Sequence, residues 1–281
     1  MRSNPNCFGL QKFLLIACFA LTCSIASAQN TPLANGFAHN DYWHKRPLYD
    51  ALEQGFTHIE ADIYLRNGNL VVAHILPMLG KYGTLENLYL KPLADCINGN
   101  NKLVARPAAP VTLMIDIKSG ADKTYAALEV LLDKYKSLIS GYEKGVYVQR
   151  QINIVLTGHK PVKLLKAQQN RLAFIDEDLL KTYRDTLAVN IYQTASCKYS
   201  KMLKWDGKGT IPTEERERLT AYVAMAHKFG KKVRLWASPE NTAVWAELLD
   251  CGVDLINTDK LAELSGFLTS RSANQALAQV Q

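Results

Sequence analysis

Cysteine is scarce in this chain and scattered. Only six of the 281 residues are cysteine and no two form a CxxC pair, which argues against zinc-ribbon and thioredoxin-like chemistry. Cys7, Cys18 and Cys23 fall within the first 28 residues. Cys96, Cys197 and Cys251 are too few and too far apart for a disulfide-dense scaffold, and at most one bridge can form. No glycine-rich nucleotide fingerprint follows the first strand-like segment, so a dinucleotide fold is disfavoured. No Lys/Arg run carries interleaved aromatics, so nucleic acid is not an expected partner. Internal repeats and low-complexity segments are also missing.

The first 28 residues stand apart. Arg2 and Lys12 precede an apolar run over 13–25, and Ala26-Ser27-Ala28 closes it. A basic start, an apolar middle and a small-residue end have the form of a secretory signal peptide. The run is too short for a comfortable bilayer span, so cleavage before Gln29 and a secreted or periplasmic destination are expected. Leu15-Ile16-Ala17-Cys18 offers a lipoprotein processing site. It is the weaker alternative, because cleavage there would leave an apolar stretch at the new N-terminus. Without residues 1–28 the 281-residue chain keeps 253, the usual size of one α/β barrel, and a single domain over 29–281 is expected. The net charge of +7 falls to +5 when Arg2 and Lys12 leave. That basic excess suits an anionic substrate or peripheral contact with an anionic membrane, and equally an ordinary soluble protein. The sequence does not specify an oligomeric state.

Beyond the leader, short β-rich runs alternate with helical patterns, the sequence form of βα units around a parallel sheet. Candidate strands fall at 36–39, 58–65, 111–117, 152–157, 172–175, 188–193, 233–237 and 255–258. Helical patterns fall at 47–54, 122–139, 161–168, 213–229, 241–250 and 261–268, several ending at a glycine such as Gly55, Gly230 or Gly252. Eight strands favour an α/β fold of the single (β/α)8 barrel type over an open sheet. Residues 66–110 interrupt the alternation with a hairpin signal, Arg66-Asn67-Gly68-Asn69, and a Gly/Asn/Pro-rich loop. Such an insertion belongs over the C-terminal face of the strands. The polar tail beyond Ser270 is expected to fray.

The period of two in His58-Ile59-Glu60-Ala61-Asp62-Ile63 points Glu60 and Asp62 to one side and the isoleucines to the other. Two acids in an apolar strand need a cationic partner. Asp116, in Leu113-Met114-Ile115-Asp116-Ile117-Lys118, recurs near the end of another strand with Lys118 on its face. Three converging carboxylates suit one divalent cation, magnesium or calcium, better than zinc. The plainer reading is an Asp–Lys ion pair with Glu60 and Asp62 capping loops. His39 and His74 each end an extended run. Together they can supply a base and an acid near neutral pH, while singly each reads as a hydrogen-bonded structural histidine or a zinc ligand. Tyr42, Trp43 and His44 read as substrate cover or as packing. Lys45, Arg46 and Arg66 read as phosphate contacts or as solvated charge, and Asp176-Glu177-Asp178 as a loop or helix start.

The ordered set Ala38-His39-Asn40-Asp41, His58-Ile59-Glu60-Ala61-Asp62, Leu70-Val71-Val72-Ala73-His74, Met114-Ile115-Asp116-Ile117-Lys118, Val233-Arg234-Leu235-Trp236 and Asn257-Thr258-Asp259 resembles the phospholipase-C-like phosphodiesterases. That superfamily holds glycerophosphodiester phosphodiesterases, phosphatidylinositol phospholipases C and sphingomyelinase D toxins. The resemblance covers about residues 36 to 259. It implies that Glu60, Asp62 and Asp116 hold the metal, that His39 and His74 are the acid–base pair, that Lys118 contacts substrate and that Trp236 lines the pocket. This chain has His39-Asn40-Asp41 where glycerophosphodiesterases usually have His-Arg-Gly, so the expected phosphate-gripping arginine is absent. His-Asn is similar to the eukaryotic phosphatidylinositol phospholipases, which makes Asn40 a fourth candidate ligand, and Asp116 in place of glutamate is similar to sphingomyelinase D.

The expectation is therefore a secreted, metal-dependent phosphodiester hydrolase acting on a small phosphodiester or phospholipid headgroup. The alternatives are a metal-independent barrel glycosidase and a non-catalytic ligand-binding barrel. Expressed with its leader in a secreting host, the chain should yield a mature N-terminus at Gln29 by intact-mass measurement. Retention of residues 1–28 would remove the signal-peptide reading.

Overall fold

Alternation at a period of two decides the sheet, and the computed structural model, which describes residues 31–77, 82–184 and 191–278, shows where each face goes. The strands are β1 (Leu33–Ala38), β2 (Phe56–Arg66), β3 (Asn69–Val72), β4 (Val111–Ile117), β5 (Gly141–Glu143), β6 (Val146–Val148), β7 (Ile152–Gly158), β8 (Phe174–Asp178), β9 (Tyr192–Lys198), β10 (Lys232–Trp236) and β11 (Leu255–Thr258). Eight of them pair in parallel in the order β1, β2, β4, β7, β8, β9, β10, β11, and β11 returns to β1, closing a (β/α)8 barrel. The helices are α1 (Tyr49–Glu53), α2 (Lys91–Ile97), α3 (Ala121–Asp133), α4 (Val162–Ala167), α5 (Tyr199–Met202), α6 (Thr213–Lys228), α7 (Thr242–Asp250) and α8 (Leu261–Ala278).

The outward strand residues, among them Ile59, Ala61, Ile63, Leu113 and Ile115, join the helices in one large buried cluster. Each buried leucine or isoleucine among them contributes about 1.5–3 kcal/mol by leaving water. The barrel interior holds a smaller apolar layer of its own, Phe37, Met114, Val155, Phe174 and Leu255. Above that layer, toward the C-terminal strand ends, the lumen turns polar. Asp176 accepts hydrogen bonds from Thr194 (2.6 Å) and Ser196 (2.8 Å).

The insertion splits into two parts. Asn67 (φ 49°) and Gly68 (φ 77°) occupy the left-handed region that a tight hairpin turn requires, and β3 runs antiparallel to β2. After β3, a π-helical turn (Glu86–Leu90) leads into α2, and Leu85, Tyr89, Leu90 and Leu93 are fully buried in the outer core. This second part serves as the crossover between β2 and β4.

Four expectations change. The strand placed at 188–193 is Tyr192–Lys198, and residues 185–190 lie outside the described chain. Its inward positions Thr194 and Ser196 are polar, so it lacks the apolar alternation that marks a strand. Asp176, Glu177 and Asp178 belong to β8 rather than to a loop, and buried Glu177 pairs with buried Lys231. Helix α3 stops at Asp133, short of 139. The tail is helical to Ala278, anchored by Leu261, Leu264 and Leu268. Cys96, Cys197 and Cys251 are all buried and unpaired.

His58 points into the lower lumen. Burial, and then the nearby Lys232 ammonium, push its pKa from an ordinary 6.5 down to about 3. Between those values the unfolded chain binds the extra proton, so this contribution to stability is complete above pH 6.5 and drains as pH falls toward 3. Thermal unfolding should therefore show a smaller loss of Tm from pH 7 to pH 4 in His58→Gln than in the wild type, whatever their Tm values at pH 7. Parallel pH profiles would contradict the burial argument.

Candidate active site

The C-terminal ends of β1, β2 and β4 bring the site together. Pairing of β2 with β4 sets Asp62 directly beside Asp116, and Glu60 lies one inward position below Asp62. The three carboxylates offer oxygens that all lie within 4.8 Å of one another. Glu60 Oε2 and Asp116 Oδ1 are buried and accept no hydrogen bond among the described residues. A buried, unpartnered carboxylate oxygen is unfavourable, and a cluster of three carboxylates that holds two such oxygens fits a hard divalent cation with oxygen ligands.

Cationic groups offset the rest of this charge. Arg234, on β10, reaches across the lumen to Glu60 Oε1 at 3.4 Å and donates to Asn257 Oδ1 (3.0 Å) and Ser196 Oγ (3.3 Å), its guanidinium lying over the Phe37 ring. Glu60 nonetheless has its pKa raised, because burial outweighs the attraction of Arg234. Lys118 donates to Asp116 at 2.7 Å and lies 3.1 Å from Asp62. Burial lowers its pKa, but the bond to Asp116 and the charges of both acids outweigh that, and the net shift is upward.

Two imidazoles flank the acids. His39 follows β1, and its backbone N–H donates to Thr258 O at the end of β11. Its Nδ1 meets Asp259 Oδ1 at 2.7 Å, while Nε2 lies 3.6 Å from Glu60 Oε2. Burial pulls its pKa down, yet the Asp259 hydrogen bond and the Glu60 charge more than reverse this. His74, carried up by the hairpin, places Nδ1 3.0 Å from Asp62 Oδ2 with the Trp43 ring against it. Tyr42 ties the two sides together, since its hydroxyl lies 2.9 Å from Asp62, 2.7 Å from Asn40 Oδ1 and 3.3 Å from His74 Nδ1. Asn40, buried and left-handed at φ 46°, sits between His39 and this hydroxyl. Trp236 ends β10 with its ring 39% exposed, beside Lys198.

The eight residues given roles from the sequence, His39, Asn40, Glu60, Asp62, His74, Asp116, Lys118 and Trp236, lie at this end of the barrel. The loop cations do not contribute: Arg46 pairs with Asp50 and Glu53 on α1, and Arg66 donates to the carbonyl of Pro77. Sequence reading missed Arg234 as the counter-charge of Glu60, Tyr42 as a hydrogen-bond hub, and Asp259 as the partner of His39. Arg234 carried the signal that exposed Glu60, a charge alternating with apolar neighbours in a strand.

Comparison with known proteins gives a family and a fold. Residues 27–176 match the AIM6-like phosphodiesterase domain, and residues 232–262 match the glycerophosphoryl diester phosphodiesterase family. The protein named altered inheritance of mitochondria protein 6 of Eremothecium gossypii is 31% identical over 268 residues, covering 82% of this chain and 68% of its own length. The Lachancea thermotolerans protein of that name is 28% identical over 277 residues, covering 81% and 64% respectively. The structure of a glycerophosphodiester phosphodiesterase from Parabacteroides distasonis superposes with a TM-score of 0.54 at 17% identity, covering 86% of this chain and all of that one. At that identity the likeness supports the shared barrel.

Gly158 ends β7 at φ 69°, and a Cβ there would overlap Asp116 Oδ1 and lie 2.6 Å from the Ile117 carbonyl. Gly158→Ala should displace Asp116 and weaken divalent-ion binding by roughly tenfold or more in calorimetry. Gly266→Ala, where a Cβ meets nothing within 4 Å, should leave it unchanged. Equal affinities in both variants would remove Asp116 from the ligand set.

Proposed function

This chain belongs to the AIM6-like phosphodiesterase family, and from that premise we propose that it is a secreted phosphoric diester hydrolase. Its substrates would be glycerophosphodiesters or phospholipid headgroups, with peripheral contact to the membrane that holds them. The observation that carries this reading is the pair of unpartnered carboxylate oxygens, Glu60 Oε2 and Asp116 Oδ1, set between two carboxylate-held imidazoles. Glu60, Asp62 and Asp116, with Asn40 adjoining, would hold one Mg2+ or Ca2+. Such an ion, when bound, supplies charge stabilisation to the non-bridging phosphate oxygens.

The proton steps belong to the chain's own residues. Asp259 holds His39 Nδ1, which leaves Nε2 with its lone pair facing the acidic centre, the form needed to accept a proton from an attacking water or substrate hydroxyl. As that oxygen bonds to phosphorus, the bond to the leaving alcohol breaks, and the departing alkoxide takes a proton from His74, whose imidazolium Asp62 stabilises. Lys118 lies where a phosphate oxygen would approach Asp116 and Asp62, and Trp236 offers an apolar wall for the alcohol. A glycosidase would need one carboxyl held protonated apart from a second, whereas these three converge on a point.

The test is hydrolysis of bis(p-nitrophenyl) phosphate by residues 29–281. Turnover should vanish with chelator, return with magnesium or calcium, and fall by about 10²–10⁴ in His39→Ala and in His74→Ala. Full activity in EDTA, or in either histidine variant, would overturn the assignment. Binding of a glycerophosphodiester without product would instead indicate a silent ligand-binding barrel.

A further inference from the structure

We propose that the N-terminal mouth of the barrel, opposite the acidic centre, is a second binding site, one for a small organic anion carrying an apolar body. The two mouths are separate compartments. The buried layer of Phe37, Met114, Val155, Phe174 and Leu255 lies between them, and below it opens a cavity of about 350 Å³. Its walls come from the N-terminal ends of β2, β4, β7, β9 and β10, with the buried Val155 and Phe174 closing it from above.

The side chains in this cavity all favour an anion. Lys232, at the start of β10, crosses the lumen to place its ammonium 3.3 Å from Nε2 of buried His58 on β2. The imidazole's other nitrogen faces the Thr57 hydroxyl at 3.2 Å. Lys232 therefore rests against an imidazole nitrogen, and no carboxylate pairs with it among the described residues. The remaining lining is uncharged and able to hydrogen bond: Asn153, Gln193, Thr112, Thr194 and tyrosine hydroxyls, without a single acid. A cation without a carboxylate partner, set in a concave mouth, attracts anions more strongly than the same cation on open surface.

The β5–β6 hairpin gives the cavity its outer wall and its preference for an apolar body. It spans the connection between α3 and β7, bridges to Arg171 through Tyr142, and carries Tyr142 and Tyr147 over the opening. The Tyr147 ring packs edge-on against Phe174 and its hydroxyl donates to Asn153 at 3.0 Å. A flat ring can therefore lie against the exposed Tyr147 and the half-buried Tyr142 with its acidic group at Lys232. This arrangement is independent of the phosphodiesterase site and does not rest on that reading.

Benzoate and inorganic phosphate are suitable probes, titrated separately into residues 29–281 in EDTA and followed by calorimetry and ligand-observed NMR. Benzoate should bind in the millimolar range, and phosphate, which lacks the ring, more weakly. Lys232→Met should weaken benzoate at least tenfold, a change of about 1.4 kcal/mol. Lys232→Arg should retain binding, and His74→Ala, at the opposite mouth, should not alter it. Lys232 is solvent-exposed, so both variants should fold, which circular dichroism checks. No benzoate binding at roughly 10 mM, equal binding in folded Lys232→Met, or loss of binding in His74→Ala would each overturn the proposal.

Discussion

Three carboxylates held within 4.8 Å of one another at the rim of a barrel repel, and each has been stripped of most of its water. The upper lumen is arranged around that constraint. Arg234 meets the acids from below, Lys118 from the side, and the imidazoles from above, so each acid keeps one oxygen engaged by a cation or by a hydrogen-bond donor. Removing one partner from such a buried set typically costs about 3–5 kcal/mol, because the charge left behind remains buried. What the protein does not satisfy internally is the pair of buried oxygens, Glu60 Oε2 and Asp116 Oδ1.

The position of Arg234 is itself fixed. Ser196 and Asn257 hold the guanidinium at its edges and Phe37 supports its face, while Asp176 in turn holds Ser196. This chain of bonds crosses strands β8, β9, β10, β11 and β2. The barrel therefore does more than carry ligands on loops: its closed hydrogen-bonded wall sets the spacing of the groups that balance them.

The elements legible in the sequence were those whose meaning is local. Glu60, Asp62 and Asp116 stood out because strand alternation placed them against apolar neighbours, and Asn67-Gly68 declared its turn. Partners distant in sequence stayed hidden. Glu177 reads as a loop acid until Lys231, fifty-four positions later, is brought against it. Strand β9 reads too early, at 188–193, because its inward residues answer to Asp176 rather than to an apolar core. Tyr42 and Asp259 acquire their roles only from groups placed beside them by closure of the barrel.

The β2–β3 hairpin has a consequence for how the site tolerates change. Asp62 and His74 sit on the two arms of one antiparallel ribbon, and the Ala73 N–H donates to the Asp62 carbonyl at 3.1 Å just before the imidazole. The carboxylate and the imidazole are thus gauged against each other by a ruler of main-chain bonds, with no need for the barrel to measure the gap. Substitutions along the ribbon preserve that gauge, but insertion or deletion of one residue rotates His74 to the opposite face. Length, more than composition, is the quantity this ribbon conserves.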